Sequence, residues 1–179
     1  VMTKTYPLDS IKAILLVGNP DFGRCELATR LNRALWPFAG RPVLQRLIEH
    51  IANQGVRRFV ICCSSGGRQI QEALEIPPHL SVEFRFEDLP RGIAGGIRDA
   101  VDLQQDELIF VFPAALVAPP DLHDLITAHR KKSGLMTIFF NPDEEDPGSV
   151  TQDAQIYVCQ PQIMEHIPLL GYFDLKENL

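Results

Sequence analysis

Arg24, Arg30, Arg33 and Arg41 crowd one short stretch of the chain, opposed across it by Glu26 alone. Guanidinium groups set among glycines (Gly18, Gly23, Gly40) suit the neutralisation of phosphate. The planar fork binds anionic oxygens two at a time, and backbone N–H groups left open by glycine can surround the same anion. The plainer alternative is a solvated arginine-rich loop. What favours the anion site is its place in the chain. Lys12-Ala-Ile-Leu-Leu-Val-Gly18 reads as a buried strand that empties into the arginine segment, which closes on Pro37-Phe-Ala-Gly-Arg-Pro42. Anion sites of α/β proteins lie at the carboxyl end of such a strand.

The elements that must position this loop follow from apolar patterning. Ala13–Val17 is a continuous apolar run, as expected of a central strand covered on both faces. Pro42 opens a helix whose stripe is Val43, Leu44, Leu47, Ile48 and Ile51, with Gly55 just past its end. Phe59–Cys63 is a second strand, followed by a short helix through Ile70 and Leu74. Val82, Phe84 and Phe86 alternate with charged neighbours and predict an edge strand with one wet face. A second glycine-rich stretch, Gly92-Ile-Ala-Gly-Gly-Ile97, starts a helix reaching about Leu103. Leu108–Phe112, Leu135–Phe140 and Ile156–Cys159 are three more strands. Between them a helix begins at Pro120 and Asp121, the latter as its cap, and closes at Lys131, Lys132 and Gly134; Pro161–Ile167 makes a last short helix. Strand–helix alternation predicts a Rossmann-like three-layer α/β/α fold with a mostly parallel central sheet.

The 179 residues, 45% hydrophobic, suit one α/β domain over 1–179; the ending at Tyr172-Phe-Asp-Leu-Lys-Glu-Asn-Leu179, without cap or turn, predicts truncation at the C-terminus. A net charge of −6 argues against general binding to nucleic acid or to an anionic membrane. No apolar run approaches the roughly 20 residues of a membrane span. Cys25, Cys62, Cys63 and Cys159 lack metal-like spacing and predict reduced thiols in a cytoplasmic protein. The five histidines are scattered. Serine-hydrolase elbow, P-loop and dinucleotide fingerprints are all missing from the sequence.

The order of these pieces resembles the sugar-phosphate nucleotidyltransferases, a family that joins a nucleoside triphosphate to a sugar 1-phosphate and releases pyrophosphate. The family's opening strand, its G-x-R loop and its P-K-x-L-x-P-V-x-G-x-P segment are matched by Lys12–Gly18, Gly23-Arg24 and Asn32-Arg-Ala-Leu-Trp-Pro-Phe-Ala-Gly-Arg-Pro42. Pro90-Arg-Gly-Ile-Ala-Gly95 is similar to the family's P-x-G-T-A-G, and Tyr172-Phe-Asp-Leu-Lys-Glu177 to its late aspartate motif. Molybdenum-cofactor and alditol-phosphate nucleotidyltransferases share the opening strand and loop, but the Tyr172–Glu177 ending favours the sugar type.

The resemblance implies a nucleotide-diphospho-sugar transferase-like fold, with Arg24 and Arg33 as catalytic cations and Val17, Gly18, Gly23, Gly92, Ala94 and Gly95 around the nucleotide. It implies that Asp174 is a ligand of magnesium and that the partners are a nucleoside triphosphate and a sugar 1-phosphate; a homo-oligomer is compatible with it. Arg33 stands where the family usually has lysine. Glycines at 92 and 95 would let a base lie against the backbone, though a tight turn ahead of a helix explains them equally well. Two departures cut against full activity. The metal-binding aspartate after the fourth strand is replaced within Val111-Phe-Pro-Ala-Ala115, and Pro20 removes an N–H donor from the first loop. The sequence therefore supports two readings, a divergent nucleotidyltransferase or a catalytically impaired nucleotide-binding regulatory module of the same fold.

Overall fold

Strict two-residue alternation divides the first strand between two cores. In a computed structural model that describes residues 6–18, 26–63, 67–86, 92–140 and 156–168, Ile11, Ala13, Leu15 and Val17 pack into one apolar cluster, and Ile14 and Leu16 join the other. This strand, β1 (Ile11–Val17), is followed by α1 (Glu26–Arg30), a 3₁₀ turn (Arg33–Leu35), a hairpin of β2 (Pro37–Phe38) and β3 (Arg41–Pro42), and α2 (Val43–Asn53). Then come β4 (Arg58–Cys63), α3 (Gly67–Ala73), β5 (Ser81–Phe86), α4 (Gly92–Ala100), β6 (Leu108–Pro113), α5 (Leu122–Lys132), β7 (Met136–Phe139), β8 (Ile156–Cys159) and a 3₁₀ helix (Pro161–His166).

The main sheet has the order β5-β4-β1-β6-β8-β7. β1 pairs in parallel with β4 and β6, and β5 in parallel with β4. β8 runs antiparallel to both β6 and β7, so it is the one reversed strand of the six. Residues of α2, α3 and α5 cover one face, through Leu44, Leu47, Ile48, Ile51, Ile70, Leu122 and Leu125. Ala94, Ile97 and Ala100 of α4 and Ile163 of the last 3₁₀ helix cover the other. The expected three-layer, mostly parallel α/β/α architecture is present, and β5 is the edge strand its alternation indicated.

Local differences have local causes. The arginine segment is not a plain loop. The Glu26–Arg30 pair, one helical turn apart at 2.5 Å, supports α1. Pro37 pairs with Pro42 across a hairpin whose tip, Ala39 and Gly40, takes positive φ at both residues (50° and 80°), the pattern of a type I′ turn. Arg46 donates to the Ala39 carbonyl at 2.6 Å and secures the tip. α4 stops at Ala100 rather than near Leu103. Its last carbonyl accepts from Lys12 Nζ (2.8 Å), and the Asp106 carboxylate accepts the N–H of Asp102 (2.6 Å), which turns the chain away. Asp121 caps α5 as expected, accepting from the His123 N–H at 2.7 Å, while the left-handed residue that closes α5 is Ser133 rather than Gly134. The Pro161 segment is 3₁₀ rather than α-helical. Cys62, Cys63 and Cys159 are buried thiols, and burial pushes Cys159 up to about 12; Cys25 lies outside the described residues. No described helix is long and apolar enough to cross a membrane.

His129 of α5 is almost fully buried, its Nδ1 2.7 Å from the Thr137 hydroxyl of β7, and burial lowers its pKa below 6.5. Because the folded chain then holds the proton less readily than the unfolded chain, stability is undiminished above pH 6.5 and falls as the pH drops from there through the lower folded value. Urea denaturation midpoints measured between pH 7 and 5 should decline, and His129→Gln, which cannot titrate, should flatten that part of the curve.

Candidate functional site

The carboxyl edge of the sheet carries the described ends of the segments that the sequence singled out. β1 ends at buried Val17, in register with Cys63 of β4, and Gly18 follows, exposed, with open space where a Cβ would stand. Asn32 ties the arginine segment to this exit. Its Nδ2 donates to the Gly18 carbonyl at 2.8 Å, and its Oδ1 accepts the Ala34 N–H at 3.0 Å, capping the 3₁₀ turn. Ala34 and Leu35 sink into the core, which leaves Arg33 exposed at the top of the turn. The backbone at Arg33 is thus held beside the end of β1 by two hydrogen bonds and two buried neighbours.

Trp36 completes the turn. Its indole N–H donates to the Leu31 carbonyl at 3.1 Å, its backbone N–H to the Arg33 carbonyl at 3.1 Å, and the Arg33 guanidinium lies over its ring, 6.0 Å from the centroid. Neither Asn32 nor Trp36 was singled out from sequence. The only signals were a cap-forming residue ahead of Arg33 and the chain's single tryptophan.

The three described arginines of the segment, Arg30, Arg33 and Arg41, do not converge. Arg30 pairs with Glu26, and Arg41 turns to Glu49 of α2, where an open cavity of about 310 Å³ is lined by Arg41, Gln45, Glu49, Glu75, Ile76 and Pro77. Sequence density overstated the cluster, because it could not show that an acid on the following helix engages Arg41. Gly23 and Arg24 lie outside the described residues.

On the sheet's other face, α4 packs against β1. Its far end, Ala100, meets Lys12 near the amino end of β1, so its opening turn points toward the carboxyl edge. Ala94 and Gly95 are buried there, and Gly92 begins the helix. Beyond β6, the Ala114 N–H extends the ladder to the Leu16 carbonyl (2.9 Å), and Ala115 is exposed beside the β1 exit, followed by Leu116 and Val117. On the remaining flank, α3 starts at Gly67 directly against Phe86. A Cβ at position 67 would fall 2.5 Å from that ring and 2.9 Å from Cys63 Cβ.

Whether magnesium fits can be judged on donors. Magnesium takes carboxylates together with phosphate oxygens and water. Among the described residues no three His, Cys, Asp or Glu side chains gather, and the position beside the β1 exit is an alanine. Asp174, the ligand that the resemblance gives to magnesium, lies outside the described residues.

Comparison with known proteins agrees with this layout. The model of the family described as nucleotidyl transferase matches residues 25–158. The bifunctional protein GlmU of Burkholderia lata is 26% identical over 139 residues, 75% of this chain and 30% of that protein. The mannose-1-phosphate guanylyltransferase of Mycobacterium tuberculosis is 21% identical over 183 residues, 88% of this chain and 51% of that protein. The chain thus spans between about a third and a half of these relatives' lengths. Among solved structures, HddC from Yersinia pseudotuberculosis complexed with GMP-PN superposes with a TM-score of 0.69 at 16% identity, covering 94% of this chain and 84% of that one, which supports the same fold.

Proposed function

Because the chain belongs to the nucleotidyl transferase family, we propose that it binds a nucleoside triphosphate at the carboxyl edge beside Gly18 and transfers the nucleotidyl group to a sugar 1-phosphate. A phosphate oxygen of the sugar 1-phosphate attacks the α-phosphorus, the bond to the β-phosphate oxygen breaks, and pyrophosphate leaves with the bonding electron pair. Negative charge builds on the equatorial oxygens and on the leaving group, so cations and aimed N–H donors lower the barrier. The observation that supports the reading is the Asn32 bridge to Gly18, which fastens the turn bearing Arg33 beside the end of β1. In this reading Gly18 and the start of α4 at Gly92 border the nucleoside, with the buried residues Val17, Ala94 and Gly95 beneath them. The names of the relatives, a mannose-1-phosphate guanylyltransferase among them, support a sugar 1-phosphate as acceptor. Buried thiols agree with a reducing, cytoplasmic setting.

Ala115 favours a second reading, a module that binds nucleotide without turning it over, since alanine supplies no acid at the exit of β6. One pair of measurements separates the two. In the presence of magnesium, one of the four common triphosphates should raise the melting temperature; a ligand at 100 times its Kd stabilises the fold by about 2.7 kcal/mol. Pyrophosphate release is then followed with glucose, mannose and N-acetylglucosamine 1-phosphates. Turnover supports the transferase; tight binding without turnover selects the regulatory module; absence of a shift with every triphosphate removes both.

A further inference from the structure

Resting on that reading, we propose that Trp36 is a positioning residue, its indole holding the Arg33 guanidinium in place for the triphosphate. An exposed arginine on a short turn samples many rotamers, and ordering it on binding weakens affinity. Here the turn is already fixed. Asn32 fastens it to the exit of β1, and Trp36 is anchored by its indole N–H to Leu31 and by its backbone N–H to Arg33. The guanidinium carbon stands over the indole at 6.0 Å, the outer range of cation–π attraction. All five guanidinium N–H donors lie in the plane of the group, so a guanidinium lying flat on an aromatic face directs its donors outward from the ring. A lysine ammonium, compact and strongly hydrated, would not keep the same arrangement.

The test uses the full chain and inorganic triphosphate, with affinity read by calorimetry and the state of the indole by its fluorescence, which is unambiguous because Trp36 is the sole tryptophan. Trp36→Leu should weaken triphosphate binding about three-fold and Trp36→Phe by less. In an Arg33→Ala background, Trp36→Leu should change affinity no further. Triphosphate should alter the emission of the unmodified chain and leave that of Arg33→Ala unaltered. Melting temperatures of the variants establish that each remains folded, and Trp36→Phe serves should the leucine variant unfold. An equal loss from Trp36→Leu with and without Arg33, or an emission change that persists in Arg33→Ala, overturns the proposal while leaving the nucleotide site standing. If the unmodified chain binds neither inorganic triphosphate nor any nucleoside triphosphate, the functional reading fails and the role of Trp36 fails with it.

Discussion

Asp106→Leu should destabilise the fold by about 3–5 kcal/mol, the usual loss when one partner of a buried ion pair is removed. The Asp106 side chain is fully buried, with Lys12 Nζ 2.8 Å from one carboxylate oxygen and Arg58 Nη1 2.7 Å from the other. The same carboxylate accepts the N–H of Asp102 at 2.6 Å. Lys12 is 8% exposed and Arg58 21%, so neither cation can regain full hydration once the acid is gone. The three residues join the amino ends of β1 and β4 to the loop before β6, at the opposite end of the strands from the carboxyl edge. Asp106→Asn should cost less, because the amide oxygen can still accept from Asp102. Replacing the whole triad, with Lys12→Met and Arg58→Met added to Asp106→Leu, should recover much of the loss, since apolar groups of similar volume carry no desolvation penalty. Urea unfolding of the four proteins measures this; an Asp106→Leu loss below about 1 kcal/mol would show that water already reaches the two cations.

Arg24→Ala combined with Arg33→Ala should lower triphosphate affinity about 100-fold or more, and Arg33→Ala alone about ten-fold or more, on the basis of about 1.5–3 kcal/mol for each hydrogen bond to a charged group. Arg33 is exposed and the turn beneath it is held by Asn32, Ala34 and Leu35, so folding stability should hardly change. Arg24 enters this prediction from its position beside Gly23 in the sequence. Arg33→Lys should fall between, keeping the charge and losing the two-toothed grip. Calorimetric titration decides the matter. A double variant that binds as tightly as the unmodified chain would move the phosphates away from the β1 exit altogether.

Much of this was legible in the residues. Ala13–Val17, Phe59–Cys63 and Leu108–Phe112 are covered on both sides, so they must be apolar throughout, and that leaves an unbroken signature. The α2 stripe was bracketed by Pro42 and by Gly55, whose φ of 103° shows why a glycine stands there. β5 showed its edge position through alternation. What stayed hidden depends on partners distant in sequence. The four residues Ile156–Cys159 carry no sign of their reversed direction, which is set by pairing with β6 and β7. The end of α4 is decided by Lys12, 88 positions earlier. Arg41 is engaged by Glu49, and the bond from Asn32 to Gly18 and the placement of Arg33 over the Trp36 ring are visible only in three dimensions. Gly23, Arg24 and Asp174 stand outside the described residues, so their roles rest on resemblance.

Lys12 is bonded to the final carbonyl of α4, and that bond lies at the opposite end of the helix from its glycines. Buried charge thus sets the root of the helix, while close apolar packing of Ala94 and Ile97 sets its opening half, so the height of the helix above the sheet is fixed twice, by two kinds of force.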